Sequence, residues 1–208
     1  MPNTLLLVVD FQYDFVMADG RLPVPGAEAL VVPMARMLAG LDPDDVAGVL
    51  FTYDTHTPDA YEGSSEAGQF PIHCEKGTPG WASVVSMDLV PPRIPSYTVE
   101  KGVFDMWAEA DLVVRSHENP AHPTDVPRVH IARERDEFFR TMRERGVDTI
   151  RVVGVAADFC VRDAVLGALE RGFRVVADRN LTAGIVRDIE TVNAEDFGGR
   201  AIIEDASA

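Results

Sequence analysis

Cysteine is scarce in this chain of 208 residues. Only Cys74 and Cys160 occur, too few for a disulfide framework and in keeping with a reducing compartment, where each thiol needs its own explanation. Long apolar runs are lacking too, since none approaches the roughly 18 residues needed to span a bilayer. Met1-Pro2-Asn3 leads into Leu5-Leu6-Leu7-Val8-Val9 with neither a basic leader nor a small-residue cleavage site, so a soluble, cytoplasmic protein without a membrane partner is expected. Positive charge is the third shortage. The 19 Lys and Arg residues face 34 Asp and Glu, leaving a formal charge of −15, which repels both a phosphate backbone and an anionic lipid surface. Nucleic acid is therefore not an expected partner.

What remains is an ordinary globular composition, 46% hydrophobic and 25% charged, in a length that suits one core and hence a single domain over residues 1–208. Apolar runs of strand length alternate with stretches of helical period: Thr4 to Asp10, Gly26 to Leu41, then Val46 to Tyr53, the opening of a βαβ unit. The alternation resumes with a strand at Tyr97 to Lys101, a charged helix around Arg133 to Arg145, a strand at Thr149 to Val155, a helix from about Cys160 to Arg171 and a strand at Phe173 to Ala177. Gly146 and Gly172 stand where C-terminal caps belong. Strands apolar throughout suit a mostly parallel sheet with helices on both faces, a doubly wound α/β fold. Two segments break the pattern, Thr55 to Pro95 and Arg115 to Arg128, both rich in Pro and polar residues and both expected to be long loops.

Ligands of open parallel sheets bind at the carboxyl ends of the strands, so the polar residues closing each apolar run matter most. These are Asp10, Asp54 and Lys101. The run ending at Val155 leads through Ala156-Ala157-Asp158-Phe159 to Cys160 at the next helix start, where the helix dipole and a neighbouring ammonium would favour a thiolate. A lone cysteine is more often a small buried apolar residue, Lys101 alone is as readily a surface lysine, and Asp10 could simply cap a turn. Beyond Asp54, the pair Asp54 and His56 has the spacing at which extended backbone points both side chains one way. Glu66 and His73 follow on the same loop. Together they offer a mixed N/O donor set suited to zinc, iron or manganese, although loops collect Asp and His without binding metal.

The pieces Val9-Asp10-Phe11-Gln12-Tyr13-Asp14-Phe15, Tyr53-Asp54-Thr55-His56, Phe70-Pro71-Ile72-His73-Cys74, Glu100-Lys101-Gly102 and Val153-Gly154-Val155-Ala156-Ala157-Asp158-Phe159-Cys160-Val161 occur in the order seen in the isochorismatase-like cysteine hydrolases. Within that superfamily the chain most resembles nicotinamidases, from Leu5 to about Thr182. The resemblance implies a triad of Asp10, Lys101 and Cys160, an oxyanion hole from the N–H groups of Ala156 and Cys160 beside a cis Val155–Ala156 bond, and metal ligands Asp54, His56 and His73. Some nicotinamidases carry a further histidine just after the D-x-H pair, where this chain reads Thr57-Pro58-Asp59-Ala60-Tyr61. Others use a glutamate seven residues before the last histidine, which falls on Glu66. Glu66 is taken as the fourth ligand, with Asp59 as its rival.

The implied activity is hydrolysis of nicotinamide through a cysteine thioester, with one divalent metal, zinc first and iron or manganese as alternatives. A small amide and further copies of the chain are the expected partners. Phe15, Phe70 and Trp107 are candidate walls for a flat ring, positions in which aromatic residues equally often belong to the core. Cys74 is expected to be structural. The rival readings are a related amidase acting on a carbamoyl or ureido group and, from another class, a binding protein that kept the fold without turnover.

Overall fold

In a computed structural model, residues 2–64, 66–117 and 131–205 are described. The strands are β1 (Thr4–Val9), β2 (Val46–Asp54), β3 (Ser96–Lys101), β4 (Val113–Ser116), β5 (Ala132–Glu134), β6 (Thr149–Val155), β7 (Arg174–Ala183) and β8 (Ile202–Glu204). The helices are α1 (Tyr13–Val16), α2 (Val31–Ala39), α3 (Pro58–Tyr61), α4 (Arg135–Glu144), α5 (Cys160–Glu170) and α6 (Ile189–Glu195). All eight strands form one sheet in the order β5-β4-β3-β2-β1-β6-β7-β8. Pairing is parallel from β3 across to β8 and antiparallel for β4 and β5.

β1 is apolar throughout because both of its faces are covered. Leu5, Leu7 and Val9 enter the layer holding Phe138, Phe139 and Met142 of α4 and Val161 and Val165 of α5. Leu6 and Val8 point the opposite way, into the layer with Met34 and Leu38 of α2 and Phe51 of β2, the alternation that a pleated strand imposes. Each of these five side chains is at most 1% exposed, and burial of each stabilises the fold by about 1.5–3 kcal/mol. β1 is also where the connections change direction, with β2 and β3 on one side and β6 and β7 on the other, so the crevice at its carboxyl end is the natural binding position.

Several boundaries depart from the sequence expectation. The stretch from Gly26 begins as a 3₁₀ turn over Ala27–Leu30 before α2, whose first turn accommodates Pro33 because no intrahelical N–H is needed there. The charged helix starts at Arg135 rather than Arg133, because residues 132–134 pair with β4 as an edge strand and Glu134 caps the helix by accepting from the Asp136 and Glu137 N–H groups. β7 runs on to Ala183 past a register shift opposite Val152 and Gly154. Arg115 and Ser116 belong to β4, and the rest of the loop expected as far as Arg128 lies, from residue 118, outside the described residues. Among the described residues no helix is long and apolar enough to cross a membrane.

Candidate active site

Register brings the strand-end residues together. Asp54 pairs with Lys101 across β2 and β3, and Val9, just before Asp10, pairs with Gly154 of β6. Gly154 has φ +114°, and a Cβ there would lie 2.1 Å from the Val9 carbonyl oxygen, so only glycine lets the strand leading to Cys160 approach this closely. Asp10 itself adopts φ 46°, a conformation that aspartate tolerates better than most residues. Its carboxylate accepts from the Thr52 hydroxyl, and its Oδ2 lies 2.7 Å from Lys101 Nζ. Lys101 Nζ is in turn 3.4 Å from Cys160 Sγ and 3.4 Å from Asp54 Oδ1. All four residues are essentially buried.

Asp54 continues the network on its other oxygen. Oδ2 lies 3.0 Å from Nε2 of both His56 and His73, and His56 Nε2 lies 3.3 Å from Glu66 Oε2. One donor atom from each of Asp54, His56, Glu66 and His73 falls within 4.8 Å of all the others. His73 Nδ1 sits 2.9 Å from the Pro71 carbonyl oxygen, which makes Nδ1 the protonated nitrogen and leaves the Nε2 lone pair facing the cluster. Asp59 is exposed on α3, so Glu66 and not its rival completes the group. Both Glu66 oxygens are buried without a hydrogen-bond partner among the described residues, as suits a carboxylate able to ligate a cation.

The electrostatics follow from one ammonium among several carboxylates. Burial works against ionisation of Asp54, but Lys101 and the two imidazoles outweigh it and hold the carboxyl well below its usual range. Lys101, whose burial opposes its charge, is kept cationic by Asp10 and Asp54. Burial also opposes protonation of His56, yet its contacts to Asp54 and Glu66 push its pKa up to about 9. Burial drives the Cys160 pKa well up, and although Lys101 pulls down, Asp10 and Asp54 add to the rise. Cys74 is pushed up in the same way, by burial first.

Val155–Ala156 is a cis peptide bond, as the resemblance implied. Cys160 is the first residue of α5, so its N–H is among the donors that a helix start leaves free.

The family model for the isochorismatase domain matches residues 130–195. A nicotinamidase/pyrazinamidase from Mycobacterium tuberculosis is 30% identical over 197 residues, covering 92% of this chain and 92% of that protein. The chain belongs to the isochorismatase-like hydrolase family. A nicotinamidase from Saccharomyces cerevisiae is 25% identical over 213 residues, 90% of this chain and 91% of its own length. The fold is shared with a solved L. infantum protein in complex with nicotinate, at a TM-score of 0.70 and 24% identity over 99% of this chain and 94% of that one.

Around this family member's centre the structure adds residues that the sequence reading passed over. Gln12, fully buried, donates from Nε2 to the carbonyls of Asp54 (2.8 Å) and Trp81 (2.9 Å) and accepts from the Asp54 N–H (2.8 Å), clamping the backbone of the shared carboxylate. Tyr61 packs its ring 4.7 Å from that of His56 and anchors its hydroxyl on the Phe70 and Pro71 carbonyls. Of the expected aromatic walls, Phe15 lies 5.0 Å from the His73 ring, and Phe70 meets Phe104 and Phe159 edge to face at 6.1 and 5.5 Å. Trp107 is elsewhere. Its indole lies in the α4/α5 core against Phe139, donates to the Ala164 carbonyl and carries Arg171 over its face. Phe104, with Glu66, Asp105 and Asp163, borders a cavity of about 330 Å³. Gln12 and Phe159 stand inside the motifs already singled out, whereas Phe104 could be found only by its distance of three residues from Lys101.

Proposed function

We propose that this chain hydrolyses nicotinamide to nicotinate and ammonia through a thioester on Cys160. The single observation that carries the reading is the double engagement of Asp54, whose one oxygen faces Lys101 and whose other faces both imidazoles. A thiol–lysine–aspartate centre and a metal-type donor cluster thereby share one carboxylate. The relatives named nicotinamidase support the same substrate.

Asp10 takes the Cys160 proton as Sγ attacks the carboxamide carbon, a role in keeping with a thiol pKa that burial raises. Lys101, cationic beside the sulfur, stabilises the negative charge that develops there. The N–H groups of Ala156 and Cys160 would receive the oxyanion, each such donor being worth on the order of 10²–10³ in rate. Asp10 then returns the proton to the departing ammonia and later activates the water that cleaves the thioester, releasing the carboxylate.

Asp54, His56, Glu66 and His73 would hold a divalent ion, with zinc first and iron or manganese compatible with the same donors. Such an ion supplies a Lewis-acidic position able to accept a ring nitrogen. Phe15 and the Phe70, Phe104 and Phe159 group offer apolar faces for a flat ring.

The test is ammonia release from nicotinamide, pyrazinamide and benzamide by the metal-loaded protein. Nicotinamide and pyrazinamide, which carry a nitrogen meta to the carboxamide, are cleaved, and benzamide loses on the order of 10²-fold in kcat/KM, at about 1.4 kcal/mol per tenfold. Equal cleavage of benzamide, or a strong preference for a ureido compound, would transfer the assignment to the related amidases.

A further inference from the structure

The turn that carries Cys160 is tied to a second turn by one carboxylate. Asp158, two residues ahead of Cys160, is 8% exposed. Its Oδ1 accepts from the Ile185 N–H at 2.9 Å, and its Oδ2 accepts from the N–H groups of Val186 at 2.8 Å and Arg187 at 3.0 Å. Three successive backbone donors converging on an anion form a nest, here filled by the protein's own side chain. The Arg187 guanidinium takes no part, being engaged by Glu195 and Asp196. A further bond runs from the Ala157 N–H to the Ala183 carbonyl at 2.8 Å. Between these links, a Cβ on Gly184 would stand 1.9 Å from the Arg187 carbonyl oxygen and 3.2 Å from Ala157 Cβ, so the two turns are closed on each other. The Val186 side chain is 83% exposed. Polar bonds to Asp158, rather than apolar packing by that residue, hold the tip of the second turn.

We infer that Asp158 is a positioning residue for the reaction, acting through the turn of residues 156–160 to hold the Ala156 and Cys160 N–H groups where the oxyanion forms. The inference rests on the proposed roles of Cys160 and of those two amides. Donors to a developing oxyanion must sit within about 2.7–3.1 Å of it, and a misplacement of about 1 Å can cost on the order of 10²-fold in rate. Asparagine at position 158 keeps one acceptor oxygen but turns an NH₂ group toward backbone N–H groups, leaving at least one of the three without a partner.

Asp158→Asn, Asp158→Glu and Cys160→Ala are compared with the unaltered protein for kcat and KM on nicotinamide, each scaled to the folded fraction. Backbone hydrogen exchange is measured at residues 185–187. For Asp158→Asn the expected result is a fall in kcat of about 10- to 100-fold with KM changed by less than about threefold. Asp158→Glu, which retains both acceptor oxygens, recovers part of that loss. Exchange at residues 185–187 is slow in the unaltered protein and faster in Asp158→Asn. An unchanged kcat, or a loss carried by KM, overturns the inference. If Asp158→Asn does not fold, exchange in the unaltered protein decides: protection comparable to β6 supports the clamp, and exchange at the rate of an open loop refutes it. Turnover retained by Cys160→Ala would instead remove the reading beneath it, whereas an inactive Cys160→Ala beside a normal Asp158→Asn removes the clamp alone.

Discussion

Asp10, Lys101 and Cys160 sit at strand ends or a helix start, whereas His56, Glu66 and His73 hang on the irregular stretch between β2 and β3, and Asp54 alone serves both groups. The first group is drawn together by sheet register across positions far apart in the chain, and its charges are matched internally by Lys101. The second is arranged by ties from elsewhere in the fold. The Asp14 carboxylate accepts from the Cys74 N–H, the His56 N–H reaches the Cys74 carbonyl, and Gln12 grips Asp54. Asp54 has Lys101 on one oxygen and both imidazoles on the other, whereas Glu66 faces only the His56 imidazole and neither of its oxygens has a hydrogen-bond partner among the described residues. Two construction methods therefore meet at one carboxylate: a scaffold whose parts pair with one another, and a loop whose donor set could hold an ion.

The largest effect expected is on the scaffold side. Cys160→Ala lowers ammonia release to background, on the order of 10⁴-fold or more, while metal content by elemental analysis stays at the level of the unaltered protein. Loss of metal along with turnover would mean that the two groups are not separable. Lys101→Met acts on both at once, because it strands the Asp10 and Asp54 carboxylates in the interior. About 3–5 kcal/mol of stability should disappear in denaturant titration, and a shift below about 1 kcal/mol would show that another counter-charge serves them.

Chelation should divide the two constructions. Removing the metal reduces turnover of nicotinamide about 10²-fold or more, but far-UV circular dichroism keeps its sheet signal and a cooperative thermal transition, since His56, Glu66 and His73 belong to neither apolar layer and only Cys74, Val85, Val90 and Ile94 of their loop enter one of them. Whole-domain unfolding on chelation would erase the distinction. The smallest effect belongs to Asp59, exposed and apart from the cluster. Asp59→Asn changes stability by no more than about 0.5 kcal/mol and leaves metal content intact, in contrast to Glu66→Gln, which lowers it.

How far the chain could be read without coordinates depended on where each element lies in the sheet. β1, β2 and β6 are apolar on both faces and bounded by polar residues, so their positions and their carboxyl ends, with Asp10, Asp54 and the approach to Cys160, are legible in residue order alone. β4, β5 and β8 are edge-side strands of only three or four partly exposed residues, too short for a local pattern to separate them from loops. The short helix α6 was equally hidden, although Asp188 caps it by accepting from the Thr191 N–H.

By itself the sequence determined the doubly wound sheet, the ordered motifs of the family and the residue types of the centre, because apolar periodicity and strand-end chemistry are properties of neighbours in the chain. Only the tertiary structure gathered Glu66 rather than Asp59 beside Asp54, His56 and His73, placed Trp107 in the core, tied Gln12 and Asp158 to distant backbone, and raised the Cys160 pKa by burial. Each of those outcomes turns on burial and on partners distant in sequence. The desolvation that raises a thiol's pKa, or the donor that meets a carboxylate, exists only once the chain has folded around it.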